Sequence, residues 1–282
     1  MRNIPFVKMH GLGNDYVYVD ERELATTGLP VIDGPERWAR ILADRHRGIG
    51  GDGLIILRRD PDAAVRMEMY NADGSRAEMC GNGIRCVARL AWERGYSDRA
   101  QFVVASDAGP RVVVVDPNER GPVGQVRVDM GVPVIEEASA RLDVDDHGFS
   151  GTVISVGNPH FVIELDVDPA SFPVAQFGPR LETHARFPRR ANIEFVQRVS
   201  ASALRFRVWE RGSGETQACG TGATAAVAAL HARGRVANHV TVHLLGGDLT
   251  IDIDLDGRAW MTGPAAVAFR GSFPSELVGI RD

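Results

Sequence analysis

Two short segments of the chain read Cys80-Gly81-Asn82-Gly83 and Cys219-Gly220-Thr221-Gly222, the same Cys-Gly-x-Gly form in each half. A cysteine just ahead of a helix faces the positive end of the peptide dipole and several unpaired N–H groups, and both favour thiolate over thiol. Glycines behind it let the main chain close on a ligand, and such a helix start suits a carboxylate. Two equivalent thiols on opposite sides of one carbon would invert it, a thiolate removing a proton from one face while a thiol delivers one to the other. The α-proton of an amino acid is very weakly acidic, and the usual electron sink, pyridoxal phosphate, is held by a lysine. The chain has a single lysine, Lys8, and no recognisable phosphate-cradling loop. Cofactor-free proton transfer, with the carbanion stabilised electrostatically in a water-excluded cleft, is the simpler reading. The third cysteine, Cys86, stands mid-helix beside Val87 and Ala88 and reads as a packed side chain.

The elements that must position these thiols also come in pairs. Met67 to Asn71 precedes the first motif and Phe206 to Glu210 the second, so that Asn71 and Glu210 occupy matching places. Further upstream Gly13-Asn14-Asp15-Tyr16-Val17 matches Gly157-Asn158-Pro159-His160-Phe161. Short alternating or β-branched runs predict strands at Ile4 to Val7, Tyr16 to Val19, Leu54 to Leu57, Arg111 to Val115 and Gln125 to Met130. The second half predicts them at Val153 to Val156, Phe161 to Leu165, Ala203 to Glu210, His239 to Leu244 and Leu249 to Leu255. Ile84 to Trp92 and Ala223 to Leu230 predict helices. The second is apolar nearly all round, which predicts a buried central helix wrapped by strands. Surface helices are expected over Pro35 to Arg45 and Phe177 to Ala185. The halves are expected to part near Asp129 to Val132, with a ligand cleft between them.

Composition narrows the class. With 282 residues, 44% hydrophobic and 24% charged, the chain can bury a core of about two domains. Its net charge of -5 offers no footprint for nucleic acid or an anionic membrane, and a small-molecule partner is the default. No h-region opens the chain and no apolar run approaches a membrane span, so a cytoplasmic protein is expected. Three cysteines without C-x-x-C pairs are thiols, not a disulfide scaffold or a zinc site, and no metal is expected. His160 reads either as a core or turn residue or as a neighbour tuning a thiol. Glu210 reads as a partner for a surface arginine or as part of the site, and Arg211 could anchor a substrate carboxylate through its planar fork. Arg58-Arg59 and Arg189-Arg190 read as solvated charge.

Across essentially its whole length the chain closely resembles the diaminopimelate epimerases. The matching segments run from Lys8-Met9-His10-Gly11-Leu12-Gly13-Asn14-Asp15-Tyr16 through Gly50-Gly51-Asp52-Gly53, Asn71-Ala72-Asp73-Gly74-Ser75 and Met79-Cys80-Gly81-Asn82-Gly83. They continue through Gly157-Asn158-Pro159-His160, Asn192-Ile193-Glu194-Phe195, Glu210-Arg211-Gly212 and Ala218-Cys219-Gly220-Thr221-Gly222. The resemblance implies a cofactor-independent isomerase of lysine and peptidoglycan precursor synthesis that interconverts LL- and meso-2,6-diaminopimelate, with Cys80 and Cys219 as the acid/base pair. It implies substrate contacts from Asn14, Asn71, Gly81, Asn82, Asn158, Asn192, Glu210, Arg211, Gly220 and Thr221, with His160 and Glu210 modulating the thiols. It also implies a homodimer and an α+β roll of two pseudo-symmetric domains, each a curled, largely antiparallel sheet around a buried central helix. The expected bounds are 1–129 for the Cys80 half and 130–267 for the Cys219 half, with 268–282 returning to the first. Gly53 departs from the Gln of some members, Tyr16 from a commoner Phe and Ser213 from a common Val. Proline and hydroxyproline racemases also use two cysteines but typically carry His where this chain has Asn82, and PhzF-like isomerases lack the thiol pair. A thiol switch cycling through a Cys80–Cys219 disulfide is the reading from another class.

Overall fold

The computed structural model describes residues 2–26, 28, 32–119 and 121–280. The chain divides into two compact units, Met1–Val128 with Pro264–Asp282, and Asp129–Gly263. Both fold as α+β with mixed sheets.

The first unit contains β1 (Asn3–Gly11), β2 (Asn14–Asp20), α1 (Glu21–Thr26), α2 (Pro35–Ala43), β3 (Gly53–Arg58), β4 (Val65–Asn71), β5 (Arg76–Ala77), α3 (Gly81–Glu93), β6 (Gln101–Ala105) and β7 (Arg111–Val115). The strand β8 (Val123–Gly131) leads onward. Its sheet runs β1, β2, β3, β4, β6, β7, β8, with β2–β3 and β4–β6 parallel and the other neighbours antiparallel. The helix α3 lies against strands β1 to β4, β6 and β7. Every residue from Gly81 to Ala91 on it is buried, including Arg85 and Arg89. Each fully buried Val, Leu or Ile contributes roughly 1.5–3 kcal/mol, and Ile84, Val87 and Leu90 of this helix are all at 0% exposure.

The second unit contains β9 (Val134–Val144), β10 (His147–Ser155), β11 (Pro159–Glu164), α4 (Val174–Glu182), β12 (Asn192–Ser200), β13 (Ala203–Glu210), β14 (Gly214–Glu215), α5 (Gly220–Ala232), β15 (His239–Leu244), β16 (Gly247–Ile253) and the start of β17 (Ala259–Pro274). The neighbours run β9, β10, β11, β12, β13, β15, β16, β17, with β11–β12 and β13–β15 parallel. From β10 onward this is the pairing order of the first unit from β1 onward, down to the positions of the parallel pairs. The helix α5 packs on β10, β11, β12 and β16. Its alanines let those strands approach closely, which is why it shows no polar face.

Several elements differ from the expectations of sequence. The helices α3 and α5 begin directly after their cysteines, earlier than Ile84 and Ala223, because glycine at the first turn is tolerated once the preceding side chain caps it. The helix α4 starts at Val174 and stops at Glu182, since Pro173 precedes it and the chain leaves helical geometry at Thr183. One long strand, β17, pairs with β16 through Thr262 and with β1 from Ala266 onward, so the return to the first unit begins at Pro264, not at 268. It also pairs with β8, the Val267 N–H donating to the Pro122 carbonyl, which closes the first sheet on itself.

Arg58 is not solvated charge. It is half-buried between the carboxylates of Glu68 and Glu21. Burial opposes its charge, but those two partners hold its guanidinium above the usual arginine range. Gly53 stands where β3 meets β4, opposite Asn71. A Cβ there would come within 2.0 Å of the Tyr70 carbonyl oxygen, so this backbone spacing has no room for a side chain.

Candidate active site

In the first unit Cys80 is the N-cap of α3. Its backbone is extended (φ -131°, ψ 124°), and its sulfur accepts from the Gly83 N–H at 3.4 Å. The thiol donates to Asn14 Oδ1 at 3.1 Å, and the Asn82 amide donates to the same oxygen at 3.4 Å. Asn14 in turn donates to Asp52 Oδ2 at 2.7 Å. Asp52 also accepts from the Asp15 main chain at 3.0 Å and from Arg45 at 2.9 Å. Arg45 and the buried Lys8 both pair with Asp15 at 2.7 Å, and Lys8 donates to the Gly50 carbonyl as well. Burial pushes the Asp15 carboxyl up, but hydrogen bonds from Arg45 and Lys8 outweigh it and hold the group below its usual value. The only lysine is thus locked in an ion pair that orders the β1–β2 turn. The fully buried Arg85 braces the floor, donating to Asn82 Oδ1 at 3.0 Å and to the Gly81 carbonyl at 3.1 Å. Asn71 donates to Ser75 Oγ at 3.0 Å and orders its own turn.

In the second unit Cys219 is the N-cap of α5, again extended (φ -124°, ψ 109°), and its sulfur accepts from the Gly222 N–H at 3.4 Å. The Thr221 hydroxyl lies 3.5 Å from the sulfur, and the Asn158 amide donates to that hydroxyl at 3.4 Å. Asn158 Oδ1 meets His160 Nε2 at 2.9 Å, and His160 Nδ1 meets Glu194 Oε1 at 2.6 Å. His160 and Glu194 are both at 0% exposure. Glu210, at the end of β13, accepts from the Thr216 hydroxyl and lies close enough to Cys219 for the two groups to influence each other's charge. Burial pushes the Glu210 carboxyl up, partly offset by Thr216 and Cys219. Cys219 is held well above an ordinary thiol, first by burial and then by the carboxylates of Glu210 and Glu194, with Thr221 and Gly222 pulling the other way. The helix terminus therefore does not win at Cys219, because desolvation and two neighbouring carboxyl groups exceed its pull.

Asn192 receives the Arg211 N–H on its Oδ1 at 3.0 Å and donates to the Pro159 carbonyl at 3.1 Å, pinning the end of β13 to the start of β11. Arg211 itself is exposed. Cys86 is fully buried and pushed up to about 11, chiefly by burial, as befits a packed thiol.

Sequence reasoning gives no role to four residues on which these groups rest: Lys8, Asp15 and Asp52 in the first unit and Glu194 in the second. Asp52 reaches Asn14 because β2 and β3 pair in parallel with Tyr16 opposite Gly53, a register that spacing does not reveal. Glu194 carries a readable signal, an acid between Ile193 and Phe195 in a buried strand, where a carboxyl needs a partner.

The family model for diaminopimelate epimerase matches residues 6–136 and 152–268. The chain belongs to the diaminopimelate epimerase family. It is 45% identical over 278 residues to the diaminopimelate epimerase of Desulfitobacterium hafniense, covering 94% of this chain and 96% of that protein. With the Methanococcus maripaludis diaminopimelate epimerase it shares 41% over 279 residues, covering 94% and 98%. Among solved structures, a hydroxyproline epimerase from Agrobacterium vitis superposes with a TM-score of 0.71 at 16% identity, covering 100% of this chain and 97% of that one. That likeness concerns the fold. As a member of the diaminopimelate epimerase family the chain is an isomerase acting on a small molecule.

Proposed function

We propose that Cys80 and Cys219 are the two acid/base groups of a cofactor-independent epimerase that interconverts LL- and meso-2,6-diaminopimelate. The observation that carries this reading is the recurrence of one device: in each unit a thiol caps a buried helix of 13 residues, on the same strand order. The thiolate of one takes the α-proton, the other thiol returns a proton to the opposite face, and the roles exchange with the direction of reaction. Main-chain N–H groups of Gly81, Asn82, Gly220 and Thr221 are suited to the reacting carboxylate, where the helix starts stabilise its growing negative charge. Arg211, together with Asn14, Asn71, Asn158 and Asn192, is suited to the distal carboxylate and its surroundings, and Glu210 to an ammonium. His160 acts on Cys219 through Asn158.

The two units are read as pseudo-symmetric rolls descended from one plan. In this reading the protein works in the cytoplasm as a homodimer, without metal or pyridoxal phosphate and without nucleic acid or membrane. Incubation in heavy water with LL-diaminopimelate, reductant present and pyridoxal phosphate absent, should yield meso product labelled at the inverted α-carbon. Comparable or faster turnover of proline or trans-4-hydroxyproline would move the assignment to the imino-acid racemases. Absence of any isomerase activity in the fully reduced protein would favour the thiol switch.

A further inference from the structure

Glu194 and His160 meet at 2.6 Å with both side chains out of solvent, and two such heteroatoms at that distance must share a proton. Which proton depends on the other ring nitrogen. Asn158 turns its oxygen to His160 Nε2 at 2.9 Å and its NH2 to the Thr221 hydroxyl. An amide oxygen only accepts, so Nε2 carries a hydrogen. The proton at the Nδ1 contact is then an additional one, and the pair is neutral overall, either as imidazole with carboxylic acid or as imidazolium with carboxylate. A neutral pair fits the surroundings, because Glu194 Oε2 is buried without a hydrogen-bond partner among the described residues. The titratable groups that face the pair are Cys219 from α5 and Glu210 from β13.

We propose that Glu194 is a positioning residue: by holding this additional proton with His160, it sets the direction of every hydrogen bond from the buried pair to the Cys219 sulfur. With Nε2 donating to Asn158, the Asn158 NH2 must donate to Thr221 Oγ1, and the Thr221 hydroxyl is free to donate to the sulfur 3.5 Å away. Without the additional proton, Nδ1–H would face a carboxylate and Nε2 would be bare. Asn158 would then turn its NH2 to the ring and its oxygen to Thr221, whose hydroxyl would donate away from the sulfur. Glu194 never touches substrate in this scheme. It keeps a donor aimed at the sulfur when Cys219 is a thiolate, and so deepens the two-thiol reading on which it rests.

Nitrogen-15 NMR of the His160 ring in the full chain, assigned with His160→Gln, tests this without reference to catalysis. The expected spectrum at neutral pH shows a protonated Nε2 and a strongly deshielded proton from the Nδ1–Oε1 contact. In Glu194→Gln the deshielded proton should vanish while Nε2 stays protonated, since the Gln NH2 can donate to Nδ1. A bare Nε2 in the unaltered protein, or a Glu194→Gln spectrum identical to it, would overturn the proposal. If Glu194→Gln does not fold, Asn158→Asp serves: its carboxylate accepts from both neighbours, turns the Thr221 hydroxyl from the sulfur, and should lower kcat about tenfold, the worth of one charge-assisted hydrogen bond. An Asn158→Asp enzyme with unchanged kcat would likewise overturn it. Failure of the unaltered protein to epimerise diaminopimelate would instead break the two-thiol reading, and the ring spectrum would still decide whether Glu194 holds the additional proton.

Discussion

The two thiol stations share a backbone and differ in what surrounds the sulfur. Both cysteines are extended N-caps that accept from the N–H three residues on, at 3.4 Å in each case. At Cys80 the thiol donates to an amide, Asn14, which is held by an ion-pair cluster of Asp52, Arg45, Asp15 and Lys8. At Cys219 the neighbours are two carboxyl groups, Glu210 and Glu194, and the asparagine is held by a histidine. Equal backbone geometry therefore does not mean equal surroundings. Repeated backbone supplies the helix terminus, while neighbouring strands supply different side chains to each sulfur; at Cys219 burial first, and then the carboxyl groups of Glu210 and Glu194, hold the thiol well above its ordinary value.

The comparison breaks most sharply if one station is dispensable. Cys80→Ala and Cys219→Ala should each lower epimerisation by about a thousandfold or more, the scale of general acid–base catalysis, measured by appearance of meso product from the LL isomer. Full turnover by either variant would end the two-base account. A smaller effect is expected from the support of the first station: Asp52→Asn, which weakens the hold on Asn14, should lower kcat/KM about tenfold while the corresponding loss of Glu210 charge acts at the other sulfur. Glu210→Gln should shift the pH midpoint of Cys219 alkylation by iodoacetamide downward, since a removed carboxylate no longer disfavours the thiolate, and leave the Cys80 midpoint in place. A common shift at both cysteines would contradict the separate environments. The smallest expected effect concerns stability. Cys86 is raised from 9.0 to about 11 in the folded chain, so its contribution is complete below pH 9 and is lost as pH rises through 11. Thermal melts should fall across that window, and fall less in Cys86→Ala.

Much of this arrangement is legible in residue order. The duplicated Cys-Gly-x-Gly motif announces two helix starts, and the apolar run after Cys219 announces a helix without a polar face. Asn14 and Asn158 are visible as a matched pair. What holds Asn14 is not, because Asp52 arrives through parallel pairing of strands far apart in sequence; Glu194 reaches His160 by the same route, so that its acid in a buried strand signals a partner without naming it. Arg58 escapes local reading in the same way: a pair of arginines looks solvated until the fold brings Glu21 and Glu68 to one of them. Gly53 reads in sequence as a lost side-chain contact, whereas the approach of the Tyr70 carbonyl explains why glycine stands there.

The path of β17 has a consequence for biosynthesis. The edge of β1, Asn3 to His10, takes its antiparallel mate from Ala266 to Pro274, and Phe6 and Trp38 meet Phe273 in the same region. The unit translated first is therefore the one completed last. Until residues 266–274 have been synthesised and have left the ribosome, the outer edge of β1 presents unpaired amides and Phe6 lacks its Phe273 partner, an interval in which the first unit is open to mispairing.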